Sequence, residues 1–275
     1  MKLETLRTHA AENFLERTYD PSCLDAFTCP RKGYYIYMLD LESKKSELCF
    51  AFGTCFHTGL ELFYSGAEEE ECIASFDSYV DSPRDELRTK EKGRELVRAY
   101  IQNYKNADPW DKILYIEKAY LLPMGEGRFL SGKIDLIVEW MNLTYVVDHK
   151  TSSWPLTDFF FRQFNPNIQM TSYSFAAKEI IGECAGVYIN AVDVKKKTNR
   201  FRRQHCPRTQ HQYEDFVRNF HFWTNIIELC IEHNFFPMNE SKCKDYGGCP
   251  YAPLCIHGAT EDVIEAYFNV ESVEI

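Results

Sequence analysis

The segment GKIDLIVEWMNLTYVVDHKTSS, Gly132 to Ser153, constrains this chain more than any other stretch. Two β-branched, apolar runs flank Met141-Asn142, which reads as a two-residue hairpin turn pairing Trp140 with Leu143. Counting outward sets Asp135 opposite Asp148, and directly opposed residues share a face with Cβ atoms roughly 5 Å apart. Lys150 stands two positions past Asp148 and projects to the same face. Two carboxylates this close repel unless something compensates. A hard divalent cation such as Mg²⁺ or Mn²⁺ does so, because its ligands are carboxylate oxygens, carbonyls and water. The His149 carbonyl, between the acid and the amine, is placed as a further oxygen ligand. Such an ion polarises a phosphodiester and lowers the pKa of a bound water, which Lys150 orients or helps to deprotonate. The competing reading of the same residues is an ordinary strand-end ion pair on the surface.

The surroundings read as a mixed domain. Helices are expected at Phe52 to Tyr64, Asp85 to Asn106, Asn167 to Ile181 and Gln210 to His233, and a short one capped by Ser22 runs into Cys29-Pro30. Strands are expected at Ile113 to Leu122, Arg128 to Trp140, Leu143 to His149, Ala185 to Lys195 and Asn199 to Cys206. Phe236 to His257 reads as a loop rich in Gly, Pro and Cys, followed by a short tail. The fold class is α/β, a mixed central sheet flanked by helices. The expected divisions are a helical lobe at 1–110, a core at 111–235 and a cysteine-rich segment at 236–275, joined in one unit. Glu117, on the strand before the hairpin, is favoured as an exposed strand glutamate, with a place in the metal site as the alternative.

The ordered motifs resemble the PD-(D/E)XK nuclease superfamily, whose core is GxxD followed by (D/E)xK; here these are GKID and DHK. FGTCFHTGLELFY, Phe52 to Tyr64, is similar to the helical GxxxHxxLE motif of the RecB-like branch, and QMTSY, Gln169 to Tyr173, to its QxxxY motif. The resemblance implies a restriction-endonuclease-like fold and a metal-dependent deoxyribonuclease. It makes His57 a metal ligand beside Asp135, Asp148 and His149, with Gln169 and Tyr173 positioning Lys150 and the DNA. Gln169 and Tyr173 are four residues apart, so they share one helical face.

The chain has 11 cysteines, an odd count that does not read as a disulfide framework. Cys243, Cys249 and Cys255 are separated by five residues each, and a tetrahedral soft-metal site needs a fourth ligand. In RecB-like nucleases with an iron–sulfur cluster, including the AddB nuclease domain and the CRISPR adaptation nucleases, one cysteine precedes the core and three follow it. The resemblance thus implies a 4Fe–4S cluster on Cys29, Cys243, Cys249 and Cys255, tying the N-terminal lobe to the C-terminal segment. Cys23 is the alternative to Cys29, and Zn²⁺ the alternative to the cluster. Cys49, Cys55, Cys72, Cys184, Cys206 and Cys230 read as small apolar residues.

A net charge of −10 argues against a protein that coats nucleic acid, but not against one that grips it in a local groove. The basic segment from Val194 to Arg208 supplies candidate phosphate contacts in Lys195, Lys196, Lys197, Arg200, Arg202 and Arg203. Tyr34, Tyr35, Phe159 and Phe160 are candidates for stacking on unpaired bases. The expected substrate is DNA, with single-stranded ends favoured, as in phage RecB-like exonucleases. The alternatives are a CRISPR adaptation nuclease working with an integrase, and a non-catalytic nucleic-acid-binding protein. No phosphate-binding loop of the helicase kind is present, so any unwinding would come from a helicase partner. Without an apolar signal core or an apolar run of membrane length, a cytoplasmic protein is expected.

Overall fold

Apolar runs bounded by turn residues become strands here, and stretches of helical period become helices. The computed structural model describes residues 16–45, 47–196 and 199–270. In chain order come β1 (Thr18–Tyr19), α1 (Pro21–Ala26), α2 (Pro30–Gly33) running into a π-turn at Tyr34–Met38, and β2 (Leu41–Ser43). Helices α3 (Glu47–Tyr64), α4 (Glu69–Ala74) and α5 (Lys90–Tyr104) follow, then β3 (Lys112–Gly125), β4 (Arg128–Trp140) and β5 (Leu143–Ser152). Next are α6 (Asp158–Arg162), α7 (Ile168–Ile181), β6 (Val187–Asp193), β7 (Phe201–Cys206) and α8 (Gln210–Glu232). A 3-10 turn at Glu240–Gly247, α9 (Ala252–His257), α10 (Glu261–Tyr267) and β8 (Phe268–Val270) close the described chain.

These elements form two units. One comprises Leu48–Tyr120 and Gly132–Tyr213; the other comprises Met1–Glu47, Leu121–Ser131 and Glu214–Ile275. In the first unit β3 pairs with β4, β4 with β5 antiparallel, β5 with β6 parallel and β6 with β7 antiparallel. A parallel pair needs a crossover, and α7 supplies it between β5 and β6. Ile134 to Val138 on β4 and Thr144 to His149 on β5 are all buried, which is why both strands read as continuous apolar runs instead of alternating ones. Phe52, Phe56 and Leu60 of α3 pack with Cys72, Phe76, Leu96, Val97 and Tyr100, and with Val192 and Val194 at the end of β6. Leu136, Val138, Tyr145 and Val147 form a second cluster with Trp110, Trp140 and Tyr188.

The second unit is tied by the pairing of β2 with β8, Leu41 to Val270 and Ser43 to Phe268, over Tyr35, Leu39, Tyr251, Leu254 and Ile264. Arg17 and Arg128 both bind the Glu228 carboxylate, and Tyr19 donates to it at 2.9 Å. Two expectations need correction in this unit. Asp20, not Ser22, caps α1, its Oδ1 accepting the Cys23 N–H at 2.8 Å. The expected loop and tail hold α9, α10 and β8, because Leu254, Ile264 and Phe268 bury against the aromatic cluster and order the backbone around them. Among the described residues no helix is long and apolar enough to cross a membrane.

Candidate active site

The hairpin register is the one the sequence sets. Met141 and Asn142 have φ of 51° and 61°, the two left-handed residues that this turn requires, and Trp140 pairs with Leu143. The Met141 N–H donates to Asp111 Oδ2 at 2.7 Å, which holds a turn that methionine alone does not favour. The ladder ends at Leu136–Val147, one step before the two acids. Past it the Asp135 carboxylate takes the place of a strand, with Oδ2 accepting the His149 N–H at 2.7 Å. Asp148 is buried, and Lys150 Nζ donates to its Oδ1 at 2.9 Å. The same ammonium lies 2.8 Å from Asp148 Oδ2, an oxygen that receives no directed hydrogen bond. Gln169 Oε1 accepts from Lys150 at 3.2 Å, and Gln169 Nε2 donates to Tyr173 Oη at 3.1 Å. The helical pair on α7 therefore reaches the strand amine as one chain of hydrogen bonds.

From α3, His57 Nδ1 comes within 3.4 Å of Asp135 Oδ2. Glu117 joins them: one ligand atom each from His57, Glu117 and Asp135 lie within 4.8 Å of one another. This corrects the sequence reading of Glu117 as exposed, since its side chain is 12% exposed and Oε2 is 2.5 Å from Lys133 Nζ. Its φ of 48° breaks the strand alternation, and no residue pattern announces a left-handed glutamate inside a strand. A divalent ion with ligands 2.0–2.6 Å away spans donors up to about 5 Å apart, so this donor set fits one. The unbonded, buried Asp148 Oδ2 is a further oxygen of the right chemistry.

The charges are consistent with a site built for a cation. Burial pushes Asp148 up, Asp135 adds to that, and Lys150 opposes it, leaving the carboxyl titrating at about 6. Burial would raise Asp135 too, but the charge and hydrogen bond of His57, helped by Lys150, hold it well below the usual carboxylate range. Burial would depress His57, and the charge and hydrogen bond of Asp135 raise it instead. Burial, then the carboxylates of Asp148 and Asp135, push the Tyr173 phenol up, so it stays neutral where it accepts from Gln169.

His149 enters through its backbone. Its ring points to the opposite face, where Nδ1 meets Asn190 Nδ2 at 2.7 Å, and burial holds the imidazole neutral at about 3. Even-numbered residues of β5 bond to the β6 side, as the Val146 N–H and the Ser152 carbonyl show. N–H and C=O of one strand residue point the same way, so the His149 carbonyl faces the Asp135 side with its N–H. Behind the ring, Arg203 donates to Asn190 Oδ1 at 3.1 Å, to Asp108 Oδ1 at 2.6 Å and to the phenols of Tyr64 and Tyr100 at 3.1 Å each.

A model of the PD-(D/E)XK nuclease superfamily matches residues 21–256. The chain belongs to that superfamily. Members generally use divalent metals, in keeping with the donors gathered here. A crystal structure of a candidate exonuclease from Eubacterium rectale is similar at a TM-score of 0.54 and 14% identity, covering 89% of this chain and 92% of that one. Its likeness shows the restriction-endonuclease-like fold. The structure of the protein SSO0001 aligns over 94% of this chain and 98% of that one at 16% identity, with a TM-score of 0.38. No curated protein matches.

In this PD-(D/E)XK chain the basic segment is less free than its composition implies. Arg203 is buried in the network behind His149, with its guanidinium 3.8 Å from the Tyr104 ring centroid, so it is not a phosphate contact. Lys195 donates to the Ser153 carbonyl, Lys196 pairs with Glu86 at 2.6 Å, and Arg202 bonds the Leu156 carbonyl at 2.9 Å and pairs with Asp158. Arg200 is exposed, and Lys197 lies outside the described residues. Of the candidate stacking rings, Tyr35 is buried on Tyr251, Tyr34 sits 4.6 Å from Phe236, and Phe160 packs on Phe161 and Phe164. Only Phe159 of the four is well exposed.

The second unit holds all four cysteines of the expected set, each a free thiol. Burial first, then neighbouring Cys249 and Cys29, push the Cys243 thiol up. Burial, Cys249 and Cys29 do the same to Cys255, against the Tyr35 hydroxyl and Arg31. The Asn239 N–H donates to Cys29 Sγ at 3.3 Å. Cys23 sits in α1 with Asp20 as its charged neighbour. Of the cysteines read as apolar, Cys72, Cys206 and Cys230 are buried, while Cys49 is exposed.

Proposed function

We propose that this superfamily member is a Mg²⁺- or Mn²⁺-dependent deoxyribonuclease acting as an exonuclease on single-stranded DNA ends. The observation that carries the reading is the meeting of Asp135, Asp148 and Lys150 with His57 where the hairpin ladder opens. His57, Asp135, Asp148 and the His149 carbonyl would hold the cation, with Glu117 beside them. When bound, the ion supplies charge stabilisation for a phosphodiester under attack and a more acidic water. Lys150 would orient the attacking water through an N–H of its ammonium, beside the bonds it donates to Asp148 and Gln169. Gln169, anchored by Tyr173, fixes the ammonium against Asp148. Before an ion binds, protonated His57 keeps Asp135 ionised; as a ligand the ring would be neutral. Substrate residues on the DNA side include exposed Arg200 and the part-exposed Arg202.

For the four cysteines the same reading assigns a 4Fe–4S cluster. Free thiols close enough that Cys249 and Cys29 raise Cys243 and Cys255, with a backbone N–H on the Cys29 sulfur, suit a cluster's ligand set. Its role is to staple the chain on either side of the catalytic segments.

The test is digestion of end-labelled single- and double-stranded oligonucleotides with Mn²⁺, with and without EDTA. The expected result is stepwise shortening of single strands that EDTA abolishes. Tight binding without cleavage in any divalent metal would overturn the enzyme reading in favour of a binding protein. Internal cuts in closed circles would overturn the exonuclease part.

A further inference from the structure

The loop that leaves β5 and the helix α6 it leads into carry two uncovered aromatic rings: Trp154 on the loop is 64% exposed and Phe159 on α6 is 74% exposed. Scattered exposed apolar residues are ordinary, but this loop is held from several directions while both rings stay in solvent. The Trp154 N–H donates to Ser152 Oγ at 2.9 Å. Lys195 donates to the Ser153 carbonyl, and Arg88 reaches Ser153 Oγ at 3.5 Å. Arg202 donates to the Leu156 carbonyl at 2.9 Å, pairs with Asp158, and lays its guanidinium 4.8 Å from the Phe161 ring centroid. Two cations of the Val194 to Arg208 segment thus fix the backbone, and Arg88 holds the Ser153 side chain. Neighbouring Phe161 and Phe164 turn inward, so the outward rings are not forced by a lack of core.

We propose that Trp154 and Phe159 form a stacking platform for the unpaired bases of a DNA strand whose phosphate is at Lys150, an inference that rests on the nuclease reading above. Trp154 is four residues beyond Lys150, so at most about 14 Å of chain separates them. A strand at the catalytic amine can therefore reach Trp154 within a few nucleotides. Every base has a π-face, and rings set among cations that track a phosphate backbone bind single strands with little regard to sequence. Exposed Arg200, with the part-exposed Lys195 and Arg202 already paired to Asp193 and Asp158, supplies the positive charge of this region in a chain of net charge −10; Arg88 is neutralised by Asp85. Bases in a duplex already stack on one another, so the platform selects unpaired ends.

The experiment compares Trp154→Ala, Phe159→Ala and Trp154→Phe with the wild-type chain. Affinities for a labelled single strand and for a duplex are measured with Ca²⁺ in place of Mn²⁺. Cleavage with Mn²⁺ is then followed on the normal strand and on an abasic strand that has no bases to stack. Each alanine is expected to weaken single-strand binding by about five- to a hundredfold. Duplex binding and abasic-strand cleavage stay unchanged, and Trp154→Phe recovers most of the loss. Unchanged single-strand affinity in both alanine variants, or an equal loss on the duplex, overturns the platform while leaving the nuclease reading intact. A wild-type chain that neither binds nor cleaves DNA overturns both. A dimer that dissociates on Trp154→Ala with DNA affinity unchanged gives this face to a second copy of the chain and likewise overturns the proposal.

Discussion

Replacing Asp148 by Asn should make the metal-free protein more stable while abolishing its response to metal. Asp148 is buried beside Asp135, and its carboxyl titrates at about 6 instead of 3.8. A raised carboxyl pKa means the ionised form is disfavoured in the fold above pH 6, by roughly 3 kcal/mol at pH 8. The asparagine removes that charge, and its amide oxygen still accepts from Lys150. Its NH₂ group finds no ready acceptor, which costs back about 1 kcal/mol or more. A net gain on the order of 1–2 kcal/mol remains, about 2–8 °C in a unit of this size. Wild type, by contrast, gains about 2.7 kcal/mol when metal is present at a hundred times its Kd. The assay is thermal melting at pH 8, in EDTA and in excess Mn²⁺. In EDTA the variant should melt higher, and in Mn²⁺ the wild-type chain should overtake it. Below pH 6 the EDTA difference should shrink, because protonated Asp148 has no charge to relieve. A variant that melts lower in EDTA, or keeps the full Mn²⁺ response, would refute the reasoning.

Three further outcomes follow from other residues. Gly132→Ala places a Cβ 2.4 Å from Tyr120 Oη, whose hydroxyl bonds Ser172 on α7 at 3.0 Å. It should cost about 1–3 kcal/mol in melting experiments and slow cleavage by displacing the helix that carries Gln169 and Tyr173. Burial raises Glu228, but hydrogen bonds from Arg128, Arg17 and Tyr19 win and bring it down to about 2. That stability is present above pH 4.5 and is lost as pH falls towards 2, so Glu228→Gln should unfold about 2 kcal/mol more easily at pH 7 and show a flatter acid limb. Cys29→Ser should remove most of the absorbance near 400 nm from anaerobically purified protein; a colourless, zinc-loaded wild type would dispose of the cluster.

Much of the site was legible because the residues that specify it are local. A two-residue turn fixes the register of β4 and β5, and a period of two then fixes which side chains share a face. Gln169 and Tyr173 were picked out by resemblance to the QxxxY motif, and helical spacing adds only that they share a face. Glu117 was only the less favoured candidate, because its orientation depends on a left-handed backbone inside β3, which only packing can impose. Arg203 was misread because a basic run looks alike whether its partners are water or Asp108, and that aspartate is 95 residues away. Asn190 carried no signal at all: an amide in an apolar strand shows its purpose only when the His149 ring is seen against it. The ordered C-terminal tail escaped for a related reason, since β8 is stabilised by pairing with β2 from the other end of the chain.

The most direct measurement is the rate of Mn²⁺-dependent cleavage of a single-stranded oligonucleotide by the Lys150→Ala chain, alongside its affinity for the same strand. Loss of the ammonium that contacts Asp148 and Gln169 should lower the rate by about 10²–10⁴-fold with binding nearly unchanged. Cleavage at the wild-type rate would place the chemistry elsewhere in the molecule.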